Sequence, residues 1–306
     1  MNEHVVIMYH GIVERIIDPY LDRYCITKTH FQRQIDFLGK KFRFVSLSEL
    51  VSILKSKEST KKPCAVITFD DAFENVYLTA YPMLRKLKIP FVVAIPTGLV
   101  DTKRSIWGCE IDLIVMRTPR SDISFSLNDA DEILEFSLGS REERLAAVTR
   151  LRNQALSSKN GNCYQFVTDL IKGHGAQRFE QLLEDYPHLR VMRTWQLREM
   201  IRNGMEPACH GFYHLYLDTD NDDIIRQEVL NSKVHLAERL NLADIKHFIL
   251  PYGKFSDKTL TTIREAGFTS CLIAKNRPVG QNEDLYRLPR IHGHVKMRDF
   301  VWALTK

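Results

Sequence analysis

Ala65-Val66-Ile67-Thr68-Phe69-Asp70-Asp71 decides the fold of this 306-residue chain. The first five residues are too apolar to face water on either side, so they are expected to form a strand buried on both faces. Strands of that kind belong to parallel sheets covered by crossover helices. The run then stops on two adjacent carboxylates. Polar chemistry is thereby set at the C-terminal end of a buried strand, where barrel active sites are assembled.

Working outward, strand-like and helix-like runs alternate. Upstream, Val5 to Met8 is β-branched and apolar, Phe31, Ile35, Phe37 and Leu38 recur at helical spacing, and Phe42 to Leu47 is extended. Ser46 to Ser56 reads as a capped helix with Ser48 as N-cap. Downstream, Val76 to Leu87 is helical, and the strand Phe91 to Ile95 is stopped by Pro96 and Gly98. The rhythm breaks over 109–190, which is mainly amphipathic helix without a convincing buried strand and is expected to be a helical insertion. It resumes with a cap-like Thr194-Trp195, the helix Gln196 to Arg202 ending at Gly204, and a short strand that delivers His210. A helix over Asp223 to Leu240, the run Phe248 to Leu250 ending in Pro251-Tyr252-Gly253, a helix Leu260 to Ala266, a strand Ser270 to Ala274 and an extended Leu288 to His292 complete it. About seven βα-type repeats in one domain spanning 1–306 point to a barrel, complete or incomplete.

Composition narrows the function. With 44% hydrophobic residues the chain can bury a full core. Its net charge of +5 is mild and spread out, Lys55 to Lys62 being the nearest thing to a basic run, so nucleic acid is not expected as a partner. The six cysteines stand singly, without a CxxC, and are expected to be reduced and buried. Met1-Asn2-Glu3-His4 leads into the first strand without an export-signal pattern, and no window is apolar enough to span a bilayer, so a soluble, cytoplasmic setting, at most at the inner face of the membrane, is expected. Tyr9-His10-Gly11-Ile12 is not a glycine-rich phosphate loop, which argues against a nucleotide cofactor.

A second segment, His210-Gly211-Phe212-Tyr213-His214, supplies two imidazoles four residues apart. Two histidines and one carboxylate make a mixed nitrogen and oxygen set suited to Zn²⁺, or to Co²⁺, Ni²⁺ or Mn²⁺, and leave room for water and substrate. A further carboxylate beside such a set is a natural base, with Asp70 in that place. Each motif has a plainer reading. An Asp-Asp pair is often a cap or a solvated turn, and an HxxxH is often a surface pair on a helix. The placement of Asp71, His210 and Tyr252 at separate strand ends favours a shared site.

These residues resemble the polysaccharide deacetylases with a NodB-homology domain, the fourth carbohydrate esterase family. The resemblance runs through Tyr9-His10, Phe31 to Leu38, Val45 to Leu50, Thr68 to Asp71 and Ala80 to Leu84. It continues through Thr194-Trp195, the HxxxH segment, Ser232-Lys233, Phe248 to Gly253, Ala266 to Phe268 and Leu288 to Arg290, and leaves out the insertion. It implies a deformed (β/α) barrel of about seven strands, a divalent metal, and removal of an acetyl group from an amino sugar. It further implies Asp70 as the base that activates the attacking water and Asp71, His210 and His214 as metal ligands. Pro251 and Tyr252 would border the substrate groove, the Tyr252 backbone N–H helping to hold the oxyanion. The family's general acid is a late histidine, for which His292 is the nearest candidate and His294 the next. Arg290 is a candidate for contact with Asp70 or substrate, and Trp107 for a wall against the sugar ring.

Three positions depart from the family pattern. Ala72 stands where glycine is usual, Gly211 where a small hydroxyl residue is usual, and no arginine precedes Pro251-Tyr252. None of these removes a ligand or the base. His10 is expected to face the pocket from the core or from behind the ligands. The expected substrate is an amino sugar, nucleotide- or lipid-linked, in a precursor of a polysaccharide or glycoconjugate. The insertion would serve as a lid or an oligomer contact. The alternatives are a deformylase or O-deacetylase acting on a sugar, or a carbohydrate-binding barrel that kept its metal without catalysis.

Overall fold

A computed structural model describes residues 3–57, 59–126, 133–157, 163–293 and 295–304. In chain order the elements are β1 (Val5–Tyr9), β2 (Gly11–Val13), β3 (Cys25–Thr27), α1 (Lys28–Lys41), β4 (Arg43–Phe44), α2 (Leu47–Ser56) and β5 (Cys64–Phe69). After a π-helical turn at Val76–Ala80 come α3 (Tyr81–Leu87), β6 (Phe91–Ile95), α4 (Trp107–Arg117), β7 (Asp122–Ser126), β8 (Ile133–Ser137), α5 (Arg141–Leu156), α6 (Cys163–His174) and α7 (Ala176–Asp185). Next are α8 (Thr194–Arg202), β9 (Met205–Cys209), α9 (Asp222–Ile225) and α10 (Ser232–Leu240), the last two joined by a π-helical turn at Arg226–Asn231. The chain ends with β10 (His247–Ile249), α11 (Asp257–Glu265), β11 (Ser270–Ile273), β12 (Leu288–Pro289), β13 (Ile291–His292) and α12 (Met297–Ala303).

The main sheet is parallel, in the order β12-β11-β10-β9-β6-β5-β1-β13, with β4 on the start of β5. Strand β12 pairs with β11 and β13 with β1, and only Arg290 separates the two dipeptides, so one extended segment touches both ends of the sheet. The result is a nearly closed (β/α) barrel, as expected. Its path holds eight strands against the expected seven or so because the last stave is interrupted at Arg290.

Period-2 alternation explains which side chains meet. Tyr9, Ile67, Phe69, Phe91, Val93 and Phe248 pack outward with Phe31, Leu84, Leu197, Leu236 and Phe300 of the covering helices. Val6, Val66, Val92, Ala94, Ala208, Leu272 and Leu288 face the other way and share a cluster with Leu47, Leu50, Val51 and Leu54 of α2. That helix plugs the end of the barrel where the strands begin. Its N-cap is Ser46 rather than Ser48, the Ser46 hydroxyl accepting from the Glu49 N–H. Glu206 adds a carboxylate to the same N-terminus by accepting from the N–H of Leu47 and Ser48, which suits the helix dipole. At α8 the cap expected from Thr194-Trp195 comes from elsewhere: Asp101 accepts from the N–H and hydroxyl of Thr194.

The insertion is not purely helical. Strands β7 and β8 form an antiparallel hairpin with alternating exposed and buried residues, Ile123 and Phe125 opposite Phe136 and Leu134. With α4 to α7 it encloses a second apolar cluster that includes Leu113, Leu151, Phe166 and Phe179. The hairpin is short and only half buried, so it lacks the continuous apolar run by which the barrel strands announce themselves. All six cysteines are free; Cys25 and Cys109 are half-buried and the others buried. No helix of the described residues is long and apolar enough to cross a membrane.

Candidate active site

Along β5 the inward positions run Val66, Thr68, Asp70, so Asp70 faces the barrel interior just past the strand's last residue. Strict alternation would turn Asp71 away. Instead Asp71 and Ala72 adopt left-handed conformations, φ 70° and 51°, and the chain turns so that both carboxylates enter one buried site. Ala72 is fully buried and its carbonyl accepts from the Met192 N–H, which holds the turn that glycine would make without strain. Apart from the helix ends at Lys57, Lys88 and Asn241, the described non-glycine residues with positive φ are Asp71, Ala72, Asp101, His214 and Tyr252. Four of these five lie at the site, where such backbone strain commonly collects.

Strand β9 delivers His210, whose N–H continues the ladder to the Ile95 carbonyl. The HxxxH segment is a loop, not a helix: Gly211 (φ 76°) and His214 (φ 59°) fold it back on itself. The two Nε2 atoms come to 3.2 Å, and Asp71 Oδ1 lies 3.5 Å from His210 Nε2 and 3.1 Å from His214 Nε2. His210 Nδ1 is 2.7 Å from the Ile249 carbonyl, to which it donates, leaving the Nε2 lone pair aimed at the other two atoms. Three such atoms converging in a buried place are suited to sharing a cation. A tetrahedral ion with ligands at about 2.0–2.1 Å would separate them by roughly 3.3 Å. Asp71, His210 and His214 therefore make a possible metal site that fits a divalent ion.

Asp70 stands beside this cluster, its Oδ2 3.9 Å from His210 Nε2. It forms a buried two-pronged pair with Arg290, Nη1 to Oδ1 at 2.6 Å and Nη2 to Oδ2 at 2.9 Å. Burial opposes the charge on Asp70, but Arg290 and then His210 outweigh it and hold the carboxyl below its usual value. At Asp71 the same opposition is won by His214 and His210, and the carboxyl lies well below its usual value. His214 is pulled toward neutrality by burial, whereas at His210 the two aspartates overcome burial and raise the pKa.

The site opens into a pocket of about 430 Å³, within the range of small-ligand sites. His10, Trp107, Tyr252, Arg290 and His292 all contribute to its wall, together with Tyr24, Tyr216 and Arg152, which the sequence had not singled out. His292 is half-buried, and burial followed by the charges of Arg290 and His10 lowers its pKa. His294 lies outside the described residues. Pro251 is buried at the end of β10, and Tyr252 follows it in a left-handed turn with its ring stacked on Tyr216 at 3.9 Å between centroids. Trp107 is only 3% exposed and donates its Nε1–H to the His214 carbonyl at 3.2 Å, so it presents little open face to a sugar and braces the ligand loop instead. The broader aromatic surface is the Tyr216–Tyr252 stack.

One further residue shapes the ligands. Glu228, fully buried in the π-helical turn after α9, accepts from the N–H of Phe212 (3.0 Å), Tyr213 (2.9 Å) and Leu215 (3.1 Å). Burial pushes its pKa up to about 7, against the pull of the three amides. A Cβ on Gly211 would lie 2.2 Å from Glu228 Oε2, so here the carboxylate excludes the small hydroxyl residue expected after the first histidine. A signal was present: Glu228 sits on the buried stripe of Ile225, Val229, Ser232 and Leu236, where an unpaired charge is costly. Glu228→Gln puts an amide NH₂ where backbone N–H groups need an acceptor. It is expected to weaken metal binding about 10- to 100-fold, measured by competition with a chromophoric chelator; an affinity within threefold of the parent, in a folded protein, would rule this role out.

Residues 164–271 match the family model for polysaccharide deacetylase, a stretch that contains both histidines and Pro251 to Gly253 but not Asp70-Asp71. The poly-β-1,6-N-acetyl-D-glucosamine N-deacetylase of Staphylococcus aureus is 36% identical over 81 residues, 26% of this chain and 28% of that protein's length. Among solved structures, IcaB from Ammonifex degensii superposes with a TM-score of 0.61 at 19% identity over 99% of this chain and 97% of its own. The Streptococcus pyogenes deacetylase PplD gives 0.61 at 17% identity over 95% and 92%. These structures share the barrel, and the family-model match spans His210, His214 and the turn at Pro251 to Gly253. Over residues 164–271 the chain is similar to the polysaccharide deacetylases, and its barrel is the one these solved structures share.

Proposed function

We propose that this chain is a metal-dependent hydrolase that removes the N-acetyl group from an amino sugar of a polysaccharide or glycoconjugate precursor. The observation that carries the reading is the convergence of Asp71 Oδ1 and both histidine Nε2 atoms within 3.5 Å of one another, with a separate carboxylate, Asp70, beside them in one pocket. A divalent ion, Zn²⁺ or one of Co²⁺, Ni²⁺ and Mn²⁺, held by Asp71, His210 and His214, would polarise the acyl oxygen and make water acidic enough to attack near neutral pH.

The chain's own residues do the rest. Asp70 takes a proton from the attacking water as the new C–O bond forms. Arg290 keeps Asp70 ionised and fixes the plane of its carboxylate. The Tyr252 N–H assists at the oxyanion, the C–N bond breaks, and the departing amine takes a proton from the imidazolium form of His292, which is restored by the proton that Asp70 took from water, leaving acetate and the free amino sugar. Stacked Tyr216 and Tyr252 offer the flat apolar surface that a sugar ring packs against. The relative from Staphylococcus aureus is named for poly-β-1,6-N-acetyl-D-glucosamine, which makes N-acetylglucosamine compounds the first substrates to try. A cytoplasmic setting belongs to the same proposal and is supported by six free cysteines.

Purified protein supplied with each of the four metals should release acetate from N-acetylglucosamine compounds. A chelator should bring the rate to background, and added metal should restore it. Formate released from N-formyl sugars in preference would redirect the reading to a deformylase; no acid released from any N-acyl sugar by metal-loaded protein would end it.

A further inference from the structure

The pocket wall opposite the barrel comes from the insertion, and that wall carries more positive charge than its neighbours neutralise. Asp112 on α4 is buried and is shared by two guanidinium groups. Arg152 on α5 reaches it through Nε at 3.2 Å and Nη2 at 2.7 Å, and Arg23 reaches the same carboxylate. Among the described residues neither arginine has another ion-pair partner, so two cations face one anion. Arg152 also donates from Nη2 to the Gly108 carbonyl at 3.1 Å. A Cβ at Gly108 would lie 3.3 Å from that nitrogen, a tight contact that glycine relieves. The guanidinium is thus held in a fixed place, with no hydrogen-bond partner for its Nη1 among the described residues, and it lines the same pocket as Asp70, Asp71, His210 and His214.

The same Arg23 and one further cation, Lys254, also lie near the pocket's aromatic wall. Arg23 lies over the Tyr24 ring, which lines the pocket and stacks on His10, and Lys254 lies 5.8 Å from the Tyr216 ring. A neutral sugar gives these groups nothing to neutralise. A preorganised guanidinium with free donors is suited to the oxygens of a phosphate or carboxylate.

We propose that Arg152, held by Asp112 over Gly108, is a specificity-determining residue that binds a negatively charged oxygen substituent on the amino sugar, so that the preferred substrate is anionic, a sugar phosphate or a uronate-linked sugar, and not a neutral oligosaccharide. This rests on the deacetylase reading above. It assigns the insertion a part in substrate recognition.

The test compares kcat/KM for acetate release from N-acetylglucosamine 1-phosphate, from a uronic acid–N-acetylglucosamine disaccharide, and from the neutral methyl glycoside and di-N-acetylchitobiose. At least one anionic substrate is expected to exceed the neutral ones by about ten-fold or more, the worth of one charge-assisted hydrogen bond. Whichever anionic compound leads identifies the phosphate or the carboxylate as the group bound. Arg152→Gln should cut the anionic-to-neutral ratio by a similar factor through KM, Arg152→Lys should restore part of it, and salt should erode it. The double variant Asp112→Asn with Arg152→Gln removes the buried charge along with one of its two partners, leaving the more exposed Arg23, and should show the same loss of preference if the single variant folds poorly. Equal kcat/KM on charged and neutral sugars, or an Arg152→Gln loss that falls alike on both, would overturn the proposal while leaving deacetylation standing. Acetate from none of the substrates would overturn both.

Discussion

Replacing Asp70 by Asn is expected to lower acetate release by about 100- to 10,000-fold, the usual worth of a positioned general base, with metal content unchanged. Asparagine keeps the shape of the side chain and can still accept from Arg290, but it cannot take a proton from water. The three convergent ligand atoms belong to Asp71, His210 and His214, so none is lost. The loss should appear in kcat. Steady-state kinetics, metal analysis and a melting curve on the same preparation separate the outcomes: a kcat within tenfold of the parent, in metal-replete folded protein, would exclude Asp70 as the base. Since Arg290 holds the Asp70 carboxyl below its ordinary value, loss of its base form should set in only below the usual carboxylate range, near pH 4.

The second large effect is on stability. Arg290 is 1% exposed, and both of its terminal nitrogens are spent on Asp70, with Nη1 also 3.3 Å from the Thr68 hydroxyl. Arg290→Met strands a buried carboxylate, which should cost about 3–5 kcal/mol. The double variant Asp70→Asn with Arg290→Met leaves no buried charge at the pair and should recover most of that stability without recovering turnover. The pH dependence has a definite sign. With its pKa depressed in the folded state, Asp70 contributes stability that is present above its unfolded value and is lost as pH falls through the folded one. In Arg290→Met burial acts on Asp70 without its cationic partner, and the penalty eases as the carboxyl protonates. The stability gap between parent and variant, from urea unfolding, should therefore narrow on going from pH 7 toward pH 4. A gap that is constant or widens would mean that the pair does not contribute in this way.

Much of the architecture was legible because buried parallel strands leave an unmistakable trace. Val5 to Met8, Ala65 to Phe69 and Phe91 to Ile95 are apolar on consecutive residues, and each became a barrel strand. The antiparallel hairpin of the insertion was not legible as such: Asp122–Ser126 buries only alternate residues and lies between strongly helical segments. Caps were misplaced where the capping group comes from afar, as at Thr194, whose partner Asp101 is 93 residues away. Arg152 and Tyr216 carry no motif. Arg152 reaches the pocket only because the insertion folds back over the strand ends.

By itself the sequence determined the barrel, the strand ends that would bear polar chemistry, and the residues offered there: Asp70, Asp71, His210 and His214. These follow from local periodicity, from spacing and from where apolar runs stop, which are properties of neighbours along the chain; Arg290 entered only through the family resemblance. Tertiary structure alone decided how those residues face one another. Consecutive aspartates on a strand would point to opposite sides, and it is the left-handed turn at Asp71 and Ala72 that brings both into one site. Histidines four apart could have lined a helix, and it is the reversal at Gly211 and His214, held by Glu228, that sets their Nε2 atoms 3.2 Å apart. The physical reason is common to both cases. Positive-φ turns are strained and persist only when packing and buried hydrogen bonds from distant segments over-determine them, and those partners are absent from the local sequence.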